Sequence, residues 1–304
     1  MAFELTILGC GSATPTSIQN PTAQILKMSE RFFLIDCGEG TQVALRKNRI
    51  KFNKIDHIFI SHLHGDHYFG LIGLLSSFHL LKRNKPLTVH CPINLRKLIE
   101  FQLRVSKTKL HYELNFNEVS IDKPQIIHED SKIEVWSIPL AHSIATQGFV
   151  FKEKRAERSL KGSVCDAYEV PKSLRSGIKK GLDYTLPNGE VISNSELTTD
   201  PIPPLSYGFF SDTAYQPNYP SIAQNLDLLY HESTFVEKDR LLADKTLHST
   251  AADAGKVAFK TKAKKLVLGH YSVRYDSREV FVKEAKNHFK NTLLGADSMV
   301  ITVP

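Results

Sequence analysis

The chain has 304 residues, a formal net charge of +7, 41% hydrophobic and 23% charged residues, and a pI near 9.1. That balance excludes a disordered or fibrous chain and leaves one large α/β domain or two coupled halves. The longest apolar stretch, FGLIGLLSSFHLL from Phe69 to Leu81, is well short of the roughly 20 residues that cross a bilayer.

MAFELTILGCGSATPT at the N-terminus has neither a basic lead nor a long apolar core, so a secretory signal is not expected. The next residues, FELTILGCGS, alternate and then meet glycines, which predicts a strand ending in a tight turn. RFFLIDCGEGTQ repeats the plan, IDHIFISH is a third apolar run and PLTVHCP a fourth; KIEVWSIPLAH, LSYGFFSD, LDLLYHES and KKLVLGH continue the series. Helical periodicity falls between them, in GLIGLLSSFHLLKR, NLRKLIEFQLR, TAADAGKVAFKTK and SREVFVKEAKNHFK. Strands alternating with helices predict an α/β layered protein whose helices cover mixed sheets. Cys10, Cys37, Cys91 and Cys165 stand far apart with no CxxC pair, which predicts reduced thiols and a cytoplasmic protein.

Residues 151–205 interrupt this order and read as an inserted arm with a small helix in PKSLRSGIKKG. Within 151–181, Lys152, Lys154, Arg155, Arg158, Lys161, Lys172, Arg175, Lys179 and Lys180 outnumber Glu153, Glu157, Asp166 and Glu169. Such an excess suits contacts to phosphates.

Several apolar runs end in a residue able to bind metal: Ile60-Ser61-His62, Leu140-Ala141-His142, Phe210-Ser211-Asp212, Tyr230-His231 and Gly269-His270. Ligands of layered α/β proteins gather beyond strand ends, and five such endings in one chain are hard to ascribe to chance. The densest is SHLHGDH. Its spacing lets His62 and His64 converge on one ion while Asp66 and His67 face a second. His142, Asp212 and His270 are the natural completions, and Asp212, with two oxygens, can bridge. Two ions roughly 3.5–4 Å apart suit hydrolysis of a phosphodiester or similar ester. His57, His79, His90, His111, His128 and His288 have no comparable context and are expected in structural or surface roles.

SHLHGDH resembles the defining motif of the metallo-β-lactamase fold. LGCGSATPT, DCGEGTQ, SHLHGDHYFGLIGLL, FSDTAY, HESTF, HST and GHYSVRY, in order from residue 8 to residue 275, are similar to ribonuclease Z, the endonucleases that mature tRNA 3′ ends. The resemblance implies a single domain over 1–304, a four-layer αβ/βα sandwich carrying the arm, and two zinc ions per subunit. Manganese or iron is admitted by the same ligand types. It implies that His62, His64 and His142 hold one ion, that Asp66, His67 and His270 hold the other, and that Asp212 bridges. Asp66 would also orient or deprotonate the attacking water. His248, in LHSTAADAG, would protonate the leaving ribose 3′ oxygen and Glu232 would orient it, with His231 behind the site. The arm would grip precursor tRNA across a homodimer. Two features depart from the family: Gln19 stands before Asn20 where an arginine is usual, and the arm lacks an obvious glycine-proline element. Two other readings compete. A hydrolase of small phosphodiesters or sulfate esters is disfavoured by the basic arm. A non-catalytic nucleic-acid binder is disfavoured by the complete ligand set and His248.

Overall fold

A computed structural model describes residues 2–304. The first half of the chain lays down β1 (Phe3–Gly9), β2 (Ala23–Met28), β3 (Arg31–Ile35), α1 (Thr41–Lys47), β4 (Ile55–Phe59), α2 (Gly65–Tyr68), α3 (Leu71–Leu80), β5 (Leu87–Pro92), α4 (Leu95–Val105), β6 (Leu114–Val119), β7 (Gln125–Glu129), β8 (Ile133–Leu140) and β9 (Thr146–Glu153). The arm follows with β10 (Ser159–Leu160), α5 (Gly162–Ala167), α6 (Arg175–Lys179), β11 (Tyr184–Thr185), β12 (Val191–Ile192), α7 (Asn194–Leu197) and β13 (Thr198–Thr199). The chain ends with β14 (Ser206–Phe210), β15 (Leu228–Glu232), α8 (Arg240–Thr246), α9 (Ala251–Lys260), β16 (Leu266–Gly269), α10 (Glu279–Lys286), β17 (Thr292–Leu294) and β18 (Val300–Val303).

Two seven-stranded sheets form the body, ordered β18-β1-β2-β3-β4-β5-β6 and β17-β16-β15-β14-β9-β8-β7. Strand alternation sends successive side chains to opposite faces. In β3, Phe33 and Ile35 join the core shared by both sheets, while Leu34 joins a second core under α1, α3 and α4. Across the shared core, Phe3 meets Tyr207 at 6.2 Å between ring centroids and Phe33 meets Phe151 at 5.3 Å. Each buried aromatic contributes roughly 1.5–3 kcal/mol over an exposed one, so this aromatic row is a main tie between the sheets. Helices α9 and α10 pack on β15, β16 and β17. The result is the expected helix–sheet–sheet–helix sandwich. All four cysteines are buried and free, and among the described residues no helix is long and apolar enough to cross a membrane.

Residues 153–204 form a second compact unit with its own small core of Cys165, Val170, Ile178, Tyr184, Ile192 and Leu197. Within it β10 pairs with β13 and β11 with β12, both antiparallel. The helix expected in PKSLRSGIKKG is α6, but α5, α7 and the four short strands surround it. The charge also differs from that of its first thirty residues. Asp183, Glu190, Glu196 and Asp200 enter from the returning half, leaving eight basic and eight acidic residues in 153–204. The arm is neutral as a unit, with its positive residues concentrated in the outgoing half.

Candidate metal and catalytic site

After β4 the chain leaves the sheet at Ile60 and bends at Leu63 and His64, so that the rings of His62 and His64 converge while Leu63 packs against the outer core. α2 then begins at Gly65 and winds Asp66 and His67 into its first turn. The turn lies directly on the DCGEG loop. A Cβ at Gly38 would stand 2.4 Å from the Asp66 carbonyl oxygen, and one at Gly70 only 2.1 Å from the Gly38 carbonyl. His142 follows β8, Asp212 follows β14 and His270 follows β16. β14, β15 and β16 are adjacent and parallel, which brings Asp212, Glu232 and His270 to one end of the sheet.

These residues gather into two groups that share Asp212. In the first, His64 Nδ1 lies 3.1 Å from His62 Nε2 and 3.2 Å from His142 Nε2. Asp212 Oδ2 stands 3.5 and 3.8 Å from the same two Nε2 atoms. In the second, Asp66 Oδ2 is 3.4 Å from Nε2 of both His67 and His270. Asp212 Oδ1 is 3.3 and 3.2 Å from those two atoms. Donors about 2.0–2.1 Å from a common tetrahedral ion stand about 3.3–3.4 Å apart, so the spacing fits converging ligands better than paired hydrogen bonds. His67 Nε2 is buried with no hydrogen-bond partner, as a nitrogen reserved for a metal should be. The donor set, five imidazoles and two carboxylates, suits zinc-class ions.

The electrostatics agree. Burial lowers His62, His64 and His142 below the ordinary imidazole value, which keeps them neutral with a lone pair to give. Burial also pulls on His67, but Asp212, Asp66 and Asp36 outweigh it and raise the ring well above its usual value. Those carboxylates make the spot attractive to a cation. Burial pushes Asp66 and Asp212 up, and the neighbouring imidazoles more than offset it and hold both below the usual carboxylate range.

A surrounding ring of contacts aims the ligands. Asp36, fully buried, lies 2.7 Å from His67 Nδ1 and accepts from Ser61 N and Oγ at 2.7 and 2.9 Å. The Leu247 carbonyl takes His142 Nδ1 at 2.9 Å, Thr234 Oγ1 meets His270 Nδ1 at 2.9 Å, and Ala13 N donates to Asp66 Oδ2 at 2.8 Å. The contacts to the three imidazoles fix rings whose other nitrogen faces the group, and the Ala13 amide holds the very Asp66 oxygen that faces it. All of them lie in motifs quoted above, yet the sequence assigned none of them a role. Asp36 alone carried a signal, since it too follows an apolar strand.

His248 sits on the wall of the same cleft, a space of about 680 Å³ also lined by His64, Asp66, His142, Asp212 and His270. Its Nδ1 is 2.8 Å from Glu232 Oε1. Burial would lower this imidazole, but the charge and hydrogen bond of Glu232 prevail and raise it to about 9. His231, next to Glu232 on β15, points the other way and gives Nδ1 to the Glu232 carbonyl at 2.7 Å. Gln19 binds the Tyr271 carbonyl through Nε2 at 3.4 Å.

The arm candidates are unequal. Lys152 belongs to β9 in the body, opposite Ser206. Arg158 pairs with Asp200 and Arg175 with Asp166, while Lys161 Nζ donates to the Ser195 carbonyl at 3.1 Å. Lys154 is half-buried and has a partner. Arg155, Lys172, Lys179 and Lys180 are exposed.

Comparison with known proteins follows the same lines. The metallo-beta-lactamase fold protein YhfI from Bacillus subtilis shares the fold, at a TM-score of 0.69 with 17% identity, covering 99% of each chain. Human tRNase Z, short form, superposes with a TM-score of 0.72 and 26% identity, again over 99% of each chain. A family model described as "Anti-Pycsar protein Apyc1" matches residues 3–161, a stretch that includes SHLHGDH and His142 but stops before Asp212 and His248. The Ribonuclease Z of Parabacteroides distasonis is 44% identical over 301 residues, 99% of both chains. Similarity of that degree, over nearly the whole of both chains, has a plain consequence: the chain belongs to the ribonuclease Z family.

Proposed function

We propose that the protein is a metal-dependent endoribonuclease that removes the 3′ trailer from precursor tRNA and leaves a 3′-hydroxyl on the tRNA. The observation that carries this reading is one carboxylate, Asp212, facing two groups of ligands, with a separate Glu232–His248 couple on the wall of the same cleft. A tRNA substrate agrees with the name of human tRNase Z, and an RNA substrate with that of the ribonuclease Z relatives.

In this reading His62, His64 and His142 would hold one ion and Asp66, His67 and His270 the other, with Asp212 facing both groups. When bound, such ions supply positive charge at the scissile phosphate and bring the pKa of a water toward neutrality. Asp66, anchored by Ala13 N–H, orients that water and draws its proton. The water oxygen bonds to phosphorus, the P–O3′ bond breaks, and His248 delivers its proton to the departing ribose oxygen. The products are a tRNA 3′-hydroxyl and a 5′-phosphorylated trailer; Asp66 then releases its proton to solvent and His248 regains one. Asp212, His248 and His270 also converge within reach of a metal. The acid role is preferred for His248 because both Asp212 oxygens already face the other groups and Glu232 favours the protonated ring.

Zinc is the preferred ion, since imidazole-rich sites suit it. Arg155, Lys172, Lys179 and Lys180 are assigned to phosphate contacts on tRNA. A homodimer belongs to the same reading and is supported by exposed apolar side chains around α4, among them Phe69, Leu98 and Phe101. The buried free thiols suit the cytoplasm.

The test is cleavage of a precursor tRNA carrying a 3′ trailer by the zinc-loaded protein, with the cut nucleotide mapped. A single cut beyond the acceptor stem, abolished by chelator and by Asp66→Ala, is expected. An intact precursor alongside hydrolysis of small phosphodiesters would overturn the tRNA assignment.

A further inference from the structure

A second gathering of imidazoles lies away from the cleft. His57 on β4 and His90 on β5 belong to one sheet, and His128 on β7 to the edge of the other. His57 stands five residues before His62, roughly 16 Å back along an extended chain. A register shift between Ile126 and His128 in the β7–β8 pairing marks a bulge, the kind of irregularity that re-aims a side chain. One ring nitrogen from each of the three histidines lies within 4.8 Å of the others. We propose that His57, His90 and His128 form a separate metal site that takes a divalent transition ion of the zinc class through three imidazole nitrogens.

The protein supplies its own standard for such a site. His57 Nδ1 and His90 Nε2 are 3.2 Å apart, against 3.1 and 3.2 Å for the pairs His62–His64 and His64–His142. Ring centroids are 5.4 Å apart for His57–His90 and 5.7 Å for His90–His128, near the 4.8 to 5.3 Å of the His62, His64 and His142 trio. The His57–His128 pair, at 4.1 Å, is tighter, and seating an ion would spread it. His128 Nε2 is buried without a hydrogen-bond partner, a costly state for a ring that serves packing alone.

The surroundings suit a ligand set. Asn117 Nδ2 lies 3.1 Å from His90 Nδ1, and the Ile127 carbonyl also hydrogen-bonds the His90 ring. These contacts hold the His90 ring in place, as neighbouring polar groups do for histidine ligands. Burial, with the neighbouring imidazoles, pushes His57 down to about 4 and His90 to about 3, so both rings are neutral near pH 7. Asp56 and Asp130 favour positive charge here; Arg31 and Arg83 oppose it. Arg31 is held by Asp130 at 2.7 Å and Arg83 by Asp56 at 2.7 Å, which leaves the balance near neutral. Three imidazoles without a carboxylate ligand select zinc, copper or nickel over magnesium or calcium. His57 and His128 are partly exposed, giving an ion a way in.

The test counts ions. The full chain is stripped with chelator, saturated with Zn²⁺, and its tightly bound zinc measured by native mass spectrometry. One more equivalent is expected in the unmodified chain than in His57→Phe or His128→Phe, with both variants cleaving precursor tRNA within about twofold of the parent. Equal zinc content in all three would overturn the proposal. Should the variants fold poorly, the unmodified chain decides alone. After two equivalents of zinc, one equivalent of Cu²⁺ should give an electron paramagnetic resonance spectrum of a mononuclear ion with nitrogen splitting, and a spectrum without that splitting would overturn it. Neither readout depends on whether tRNA is the substrate.

Discussion

Oε1 of Glu232 lies 2.8 Å from Nδ1 of His248, and the carboxylate that makes this contact is wholly buried. Oε1 also accepts from Thr213 N at 2.8 Å, and Oε2 accepts from Thr234 N at 3.0 Å and Thr234 Oγ1 at 2.7 Å. Donors on both oxygens keep the carboxylate charged, and a buried negative charge keeps the facing imidazole protonated. Cleavage should therefore weaken as pH rises through about 9, where His248 loses the proton it donates. Glu232→Gln removes the charge, so the alkaline limb should move to lower pH. The rate at neutral pH should fall by roughly 10²–10⁴-fold, the usual worth of a positioned acid. Single-turnover cleavage measured across pH checks this; an unmoved limb in the variant would count against His248 as the acid.

Asp36 acts at one remove. It touches His67 Nδ1 and Ser61, and no reacting atom. Asp36→Asn turns one oxygen into an amide that meets the Ser61 donors and leaves His67 less firmly aimed. Loss of such a partner typically weakens metal affinity 10- to 100-fold. Zinc titration of the stripped variant should show that loss, with most activity returning at saturating metal. Full affinity in the variant would mean that Asp36 only fills the core.

How much of this was readable beforehand depended on how local each signal was. His62, His64, Asp66 and His67 were legible because one turn holds them all. His142, Asp212 and His270 were legible because each closes an apolar run. His231 shared that signal, yet strand alternation turns it away and gives the site Glu232 instead. β2, with Gln24 and Lys27 inside its apolar run, and β6, half polar at a sheet edge, offered weak patterns. The neutral arm was hidden because half of its acids arrive in residues 182–204. The trio His57, His90 and His128 has no sequence spacing at all, since the pairing of two sheets creates it.

The arm divides its cations into two kinds. Arg155, Lys172, Lys179 and Lys180 are exposed; Arg158 and Arg175 are tied to Asp200 and Asp166. Changing the first four to glutamine should raise KM for precursor tRNA and flatten its salt dependence. Each lost phosphate contact is worth about 0.7–0.9 in the slope of log affinity against log salt. Turnover of a small phosphodiester should not change. Arg158→Gln or Arg175→Gln alone should shift stability by under about 1 kcal/mol, because both acid partners are solvent-exposed. An unchanged salt slope in the fourfold variant would remove the arm from tRNA binding.

The helix that follows His248 gives a prediction about stability and acid. Thr250 caps α9, its side chain accepting from Asp253 N at 3.2 Å while Asp253 Oδ2 accepts from Thr250 N at 3.1 Å. Asp253 Oδ1 also takes Arg240 Nη2 at 2.8 Å. Burial pushes this carboxyl up, but the Arg240 hydrogen bonds, the Thr250 amide and the Arg240 charge together hold it below its ordinary value of 3.8. A depressed folded pKa means that the group stabilises the protein fully above the unfolded value. The contribution fades as pH falls below that value toward the folded one. Asp253→Asn keeps the shape and removes the charge, which should cost about 1–3 kcal/mol near neutrality. Parallel denaturation of parent and variant at a series of pH values should show the gap widest near pH 7 and closing below 3.8. Metal release in acid affects both proteins alike and leaves the difference readable. A gap that stays constant into acid would mean that Asp253 contributes shape and hydrogen bonds but no charge.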